Sequence, residues 1–186
     1  MEKVSKELVR QLVDGTITRD DARMLLKMNP KGPERFWTWL EVLQERVPWP
    51  DRILLRLSDH LYVVRKDDGR RLVKCDCGQE LGDYRANWKI ECRMRVRTTE
   101  RQFHEVYYPA ALSPEPGYNE IREFFCPGCY AQLAVEVVPP GYPLIFEVLP
   151  DIDRLYREFL GRPLPDESPT WYRDTTAQRT AEWIAG

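Results

Sequence analysis

Histidine is nearly absent from this chain: His60 and His104 are the only two in 186 residues, and neither stands near a cysteine pair in sequence. A catalytic zinc, which keeps an open position and usually takes imidazole or carboxylate ligands, is poorly served by such a composition. Long apolar runs are also lacking, and none approaches the roughly 20 residues of a membrane span. The N-terminus, Met1-Glu2-Lys3-Val4-Ser5-Lys6, has no apolar signal region, so a reducing cytoplasm is expected. There is no glycine-rich loop to cradle phosphates, no G-x-S-x-G and no paired histidine motif, so the isolated chain is expected to be non-catalytic and not to bind ATP tightly. Excess charge of one sign is missing too. With 28 basic and 30 acidic residues the net charge is −2, which recruits neither nucleic acid nor an anionic membrane.

What the chain does have is cysteine in pairs: Cys75-Asp76-Cys77-Gly78 and Cys126-Pro127-Gly128-Cys129. Four thiolates that converge make a closed tetrahedral site, and zinc is the metal that such a structural site takes. In C-P-x-C, proline fixes one backbone angle and glycine frees another. C-x-C is one residue shorter than usual, and successive strand side chains point to opposite faces, so both sulfurs meet one metal only if the chain bends, with Gly78 supplying the freedom. The 48 residues from Gly78 to Phe125 separate the pairs, so the metal is expected to tie two sheet segments across a long insertion. Disulfides would need an oxidising compartment, and a redox C-x-x-C normally opens a helix, whereas the residues after Cys129 look extended. The closed site with Cys75, Cys77, Cys126 and Cys129 as ligands, one zinc per chain, is favoured over these. Cys92 falls on an apolar strand face and reads as core filler.

The remaining pattern is α+β. Periodicity places helices over 2–14, from Thr18 with Asp21 as an acidic capping partner to a stop at Asn29-Pro30-Lys31-Gly32, and from Pro33 to about Val47. The third carries Phe36, Trp37, Trp39, Leu40, Val42 and Leu43 around most of its circumference, which suits either burial by its neighbours or docking on a partner. Pro48-Trp49-Pro50 marks the change to sheet. Strands are predicted at 53–57, 61–66 and 71–75, with a hairpin turn at Asp67-Asp68-Gly69. A further half-buried strand spans 88–97, with Ile90, Cys92, Met94 and Val96 inward and Lys89, Glu91, Arg93, Arg95 and Arg97 outward. Residues 99–119 read as a long loop, two strands flank the second cysteine pair, and Asp151 caps a helix to about Leu160 with Ile152, Leu155, Tyr156 and Phe159 on one side. Residues 161–186 show no core pattern, yet contain Trp171, Tyr172, Trp183 and Ile184, and are expected to wrap a neighbour. The expected division is a helical region at 1–50, a mainly antiparallel, zinc-ribbon-like β domain at 51–149, and a C-terminal helix with a partner-wrapping tail at 150–186.

Several stretches together carry a family resemblance: Pro33-Glu34-Arg35-Phe36, Leu43 to Trp49, the Cys75–Gly78 turn, Asn87-Trp88-Lys89, Ile121 to Pro127, and Pro150-Asp151-Ile152. In order and spacing they resemble the gamma subunit of acetone carboxylase, over about 7–165. The chain departs from that pattern beyond about 166, and at Tyr130, where the family tends to have glycine. The resemblance implies a bacterial, cytoplasmic, ATP-dependent carboxylase that joins a ketone and bicarbonate as a 3-oxo acid. It also implies two large hydantoinase-related subunits, alpha and beta, in a dimer of heterotrimers, with ATP and a further divalent metal held only there. Acetone, butanone and an aromatic ketone such as acetophenone stay open as substrates. A second class, a free-standing zinc-ribbon nucleic-acid-binding protein, rests on the basic face Arg93, Arg95, Arg97 and Arg101, interrupted by Glu91, Glu100 and Glu105.

Overall fold

The computed structural model describes residues 4–28 and 34–185. The predicted helix stop at 29–32 and the first-turn position of Pro33 lie outside them. Helix α1 (Lys6–Asp14) begins where Ser5 Oγ accepts the Leu8 amide and ends at Gly15, whose φ of 69° is the left-handed turn that glycine adopts without strain. Helix α2 (Arg19–Lys27) is capped as expected, with Thr18 accepting the Asp21 amide. Its acid takes a hydrogen bond from the Thr18 hydroxyl at 2.6 Å. Helix α3 (Glu34–Gln44) is zipped to α1 by Lys6–Glu45 at 2.6 Å, Arg10–Glu45 at 2.9 Å and an Arg46–Asp14 pair. These pairs are exposed and add little; the apolar contact beneath them, around Val9 and Leu43, holds the helices together.

Strands β1 (Arg52–Ser58), β2 (Leu61–Arg65), β3 (Arg71–Cys75) and β4 (Glu80–Asp83) form an antiparallel sheet in chain order. Both of its faces are buried. Tyr62, Val64 and Leu72 pack with Leu40, Leu43 and Trp49 under the helices, while Leu61, Val63, Val73 and Cys75 pack on the other side with Leu133, Ile152 and Tyr156. The second sheet, β5 (Arg93–Arg97), β6 (Glu120–Phe125) and β7 (Gln132–Val138), is also antiparallel throughout. The α+β class expected from sequence therefore holds, with the strands in two antiparallel sheets. Asp151 caps helix α5 (Ile152–Arg154), which continues as a π turn over Leu155–Phe159. Ile152 and Tyr156 are buried, but Phe159 is exposed.

Three readings are corrected. Residues 88–91 form a 3-10 turn under an Asn87 cap, so the strand is confined to Arg93–Arg97. Its burial departs from the alternation at two positions: Arg93 and Arg95 face solvent as expected, but Met94 is exposed and Arg97 buried. Arg97 Nε donates to Glu123 at 2.6 Å and its guanidinium also meets Glu105, while fully buried Lys89 donates to Glu136 at 2.7 Å, to Ile145 O at 3.0 Å and to Glu147. Paired in this way, the cations can occupy sites that hydropathy assigns to apolar residues. The supposed loop at 99–119 contains helix α4 (Glu100–His104), with a Thr99/Gln102 capping box, and its Phe103 is fully buried.

The C-terminal segment docks on its own chain. Leu164 joins the core, and Trp171 lies between the Arg71 and Arg85 guanidiniums at 4.6 and 4.8 Å. Tyr84 donates to Trp171 O at 2.6 Å, and helix α6 (Thr176–Ala185) is tied down by Arg179–Glu91 at 2.7 Å. Arg71, buried completely, meets Asp153 at 2.6 Å and Asp166 at 3.5 Å, off the line of a hydrogen bond. Tyr172 and Ile184 stay exposed. The aromatics of α3 are likewise engaged within the chain. Phe36 and Trp37 meet Tyr156 edge-on at 6.2 and 5.4 Å, and Phe36, Trp37 and Trp39 are half-buried. Among the described residues, no helix is long and apolar enough to cross a membrane.

Candidate metal centre

The first cysteine turn grows out of the end of β3. The Cys75 amide donates to Gln79 O and the Gly78 amide to Cys75 O, both at 2.9 Å, which folds the chain back into β4. Gly78 has φ 97°, the bend that a C-x-C spacing needs if both sulfurs are to face one point. A Cβ placed there would stand 3.3 Å from Trp49 Cδ1. Trp49 is buried and its Nε1 donates to Asp76 O at 3.0 Å, so the turn rests against the link between α3 and β1.

The second turn joins β6 to β7. The Cys126 amide donates to Ala131 O and the Tyr130 amide to Cys126 O, each at 2.9 Å, and the Gly128 amide points at Cys126 Sγ at 3.4 Å. Tyr130 closes the turn at φ 62°, a left-handed conformation costly for a residue with a side chain. A Cβ at Gly128 would be crowded. The added atom would lie 3.2 Å from Gln79 and 3.4 Å from Cys77 Sγ, so the two turns are pressed together.

The four sulfurs lie within 4.8 Å of one another. Cys75 and Cys129 are 3.8 Å apart, Cys77 and Cys126 3.7 Å. Tetrahedral zinc with Zn–S bonds of about 2.3 Å would put sulfurs about 3.8 Å apart, so the donor set fits. A disulfide requires about 2.05 Å, and all five cysteines are unbridged. Cys75 and Cys126 are buried, Cys77 and Cys129 exposed, so one sulfur of each turn faces inward. Burial pushes the Cys75 and Cys77 thiols up, whereas the Ala131 amide holds Cys129 below its ordinary value. Thiols disfavoured as anions by burial become good ligands once a cation sits among them.

Cys92 stands apart from the four. It is half-buried against the core, its Sγ 3.7 Å from Trp88 O, and burial pushes its thiol up to about 12. His104 is remote, in α4, but His60 is not. The β2–β3 register pairs Leu61 with Cys75, which brings His60 Nδ1 to 2.6 Å from Asp76 Oδ2, while the Asp76 amide donates to His60 O at 3.1 Å. The expectation that both histidines lie away from the cysteine turns is therefore wrong for His60. It braces the residue between two of the thiols, and only the strand register could have revealed this.

The basic face expected on β5 is broken. Arg97 is buried in its ion pairs, Arg95 meets Glu105 at 2.9 Å, and Arg93 lies over the Tyr130 ring at 5.3 Å. A continuous stripe for a phosphate backbone is not formed there.

Both cysteine turns fall inside residues 47–160, which match a family model described as the acetone carboxylase gamma subunit. The chain is also 40% identical over 165 residues to the acetone carboxylase gamma subunit of Xanthobacter autotrophicus (strain ATCC BAA-1158 / Py2), covering 88% of this chain and 97% of that protein. To the acetophenone carboxylase beta subunit of Aromatoleum aromaticum (strain DSM 19018 / LMG 30748 / EbN1) it is 35% identical over 118 residues, 61% of this chain and 81% of that one.

Proposed function

The chain belongs to the acetone carboxylase gamma subunit family, and from that premise we propose that it is the zinc-bearing structural subunit of an ATP-dependent ketone carboxylase. The observation that carries this reading is the cluster of Cys75, Cys77, Cys126 and Cys129, two sulfurs from each sheet within 4.8 Å. These residues would hold zinc as a closed tetrathiolate, and the ion would supply a cross-link between the sheets rather than an open coordination site. Around it the chain's own groups set the geometry. Gly78 turns the first pair toward the site, Trp49 and His60 brace Asp76, and Gly128 admits Cys77 at close range.

In this reading the carboxylation of a ketone with bicarbonate to a 3-oxo acid takes place on two large hydantoinase-related subunits, alpha and beta, which hold ATP and a second divalent metal. The assembly is a dimer of heterotrimers in the cytoplasm. Acetone is the first choice of ketone; an aromatic ketone is the second, because one relative is named for acetophenone. Co-expression with two large subunits, whose genes this reading requires alongside its own, tests the reading. All three should co-purify and carboxylate a ketone with ATP, while the pure chain alone should not hydrolyse ATP. A chain that purifies with nucleic acid and without those subunits would overturn it.

A further inference from the structure

Two of the four clustered sulfurs face solvent and two do not. Cys77 and Cys129 are exposed, one from each turn, whereas Cys75 and Cys126 are both 0% exposed. The short contacts cross from one turn to the other: exposed Cys77 lies 3.7 Å from buried Cys126, and exposed Cys129 lies 3.8 Å from buried Cys75. Each sulfur that a small solute can reach therefore has a sheltered sulfur of the opposite turn behind it. Gly128 makes the approach possible, since Cys77 Sγ stands only 3.4 Å from where a Cβ would be. The fifth thiol, Cys92, is half-buried against Trp88 O and belongs to neither pair.

An accessible thiol backed by a second thiol within reach is the arrangement of an attacking and a resolving cysteine, and here it occurs twice. We propose that hydrogen peroxide converts the metal centre into a cross-turn disulfide, Cys77–Cys126 or Cys75–Cys129, so that the two sheets stay joined after the ion has left. The proposal rests on the reading of the four cysteines as a zinc site. The exposed thiolate attacks a peroxide oxygen, the O–O bond breaks, and a sulfenic acid and hydroxide form. The buried thiolate of the other turn then attacks that sulfur, an S–S bond forms, and a second hydroxide leaves. Both hydroxides take a proton from the buffer. Two thiolates, one peroxide and two protons thus become one disulfide and two waters, and the two electrons pass from sulfur to the peroxide oxygens. The two sulfurs that remain are too few for a closed tetrathiolate site.

The identity of the pair decides what oxidation does to the fold. A disulfide within one turn, Cys75–Cys77 or Cys126–Cys129, would release the ion and cut the tie between the sheets. Either cross-turn disulfide links the end of β3 region to the turn between β6 and β7, and so replaces one cross-link by another. Loss of the ion to peroxide is then structurally unlike its loss to a chelator.

The test uses the full zinc-loaded chain, with Cys92→Ser as a companion that lacks the fifth thiol. Hydrogen peroxide in equimolar amount, added in the presence of a zinc-sensitive dye, should release about one zinc per disulfide formed. Peptide mass mapping should find Cys77 joined to Cys126, or Cys75 to Cys129, in both proteins, and hydrogen exchange should leave β6 and β7 protected. The same chain stripped by EDTA under reducing conditions should lose that protection. Dithiothreitol with added zinc should restore the starting state. A disulfide within one turn, a disulfide through Cys92, sulfinic acid without a disulfide, or zinc retained after peroxide overturns the proposal. So does an oxidised chain whose β6 and β7 exchange as fast as in the EDTA-treated one. A chain that takes up no zinc overturns the zinc reading as well; zinc bound at first but followed by any of those other products removes only this inference.

Discussion

The first cysteine turn hangs from a sheet buried on both faces, whereas the second closes a hairpin whose Val135 and Val137 are exposed. Around Cys75 and Cys77 the protein supplies its own supports: a glycine in the left-handed region, an indole hydrogen bond to Asp76 and the His60–Asp76 contact. Around Cys126 and Cys129 there is a tyrosine where the turn asks for glycine, and the neighbour pressed against Gly128 is the first turn itself. Cys126 and Leu133 do pack in the same core as Cys75, but beyond that the second turn is held by its own backbone hydrogen bonds, whereas side chains of other elements brace the first. A metal between them would stabilise the two sheets unequally.

The largest expected effect follows from removing that shared bond. Cys126→Ser should abolish zinc binding, and because structural zinc is worth on the order of 10 kcal/mol, cooperative structure should be lost around it. Hydrogen exchange should show β5–β7 losing protection first while β2 and β3 keep theirs; equal loss in both sheets would break the comparison. Next comes Gly78→Ala, which forces a side chain into φ 97° against Trp49 and should cost about 2 kcal/mol by denaturant unfolding of the zinc-loaded chain. Trp49→Phe leaves the ring but strands Asp76 O, costing about 1 kcal/mol with zinc retained. Smallest is Tyr130→Gly. Relief of the left-handed strain outweighs the chain entropy of glycine and the lost Arg93 contact, for a gain of about 0.5 kcal/mol.

Features set by near neighbours in the chain were legible in the sequence. The cysteine pairs, the Thr18 and Asp151 caps, the hairpin at 67–69 and the change from helix to sheet at Trp49 are local chemistry, and each stands where it was expected. Features made by distant partners were not legible. Lys89 and Arg97 are buried because Glu136 and Glu123 arrive from other strands, and Trp171 has its place because Arg71 and Arg85 wait about a hundred residues earlier. His60 belongs with this second group. Its contact with Asp76 is a product of strand register, and hydropathy carries no trace of it.

The most direct test of the site is X-ray absorption at the zinc edge on the purified chain, with elemental analysis of the same sample. A single zinc per chain, ringed by sulfur alone at about 2.3 Å and unchanged in Cys92→Ser, is the predicted result. Zinc absent, replaced by iron, or bound through nitrogen or oxygen would contradict the account of Cys75, Cys77, Cys126 and Cys129 as a closed metal centre.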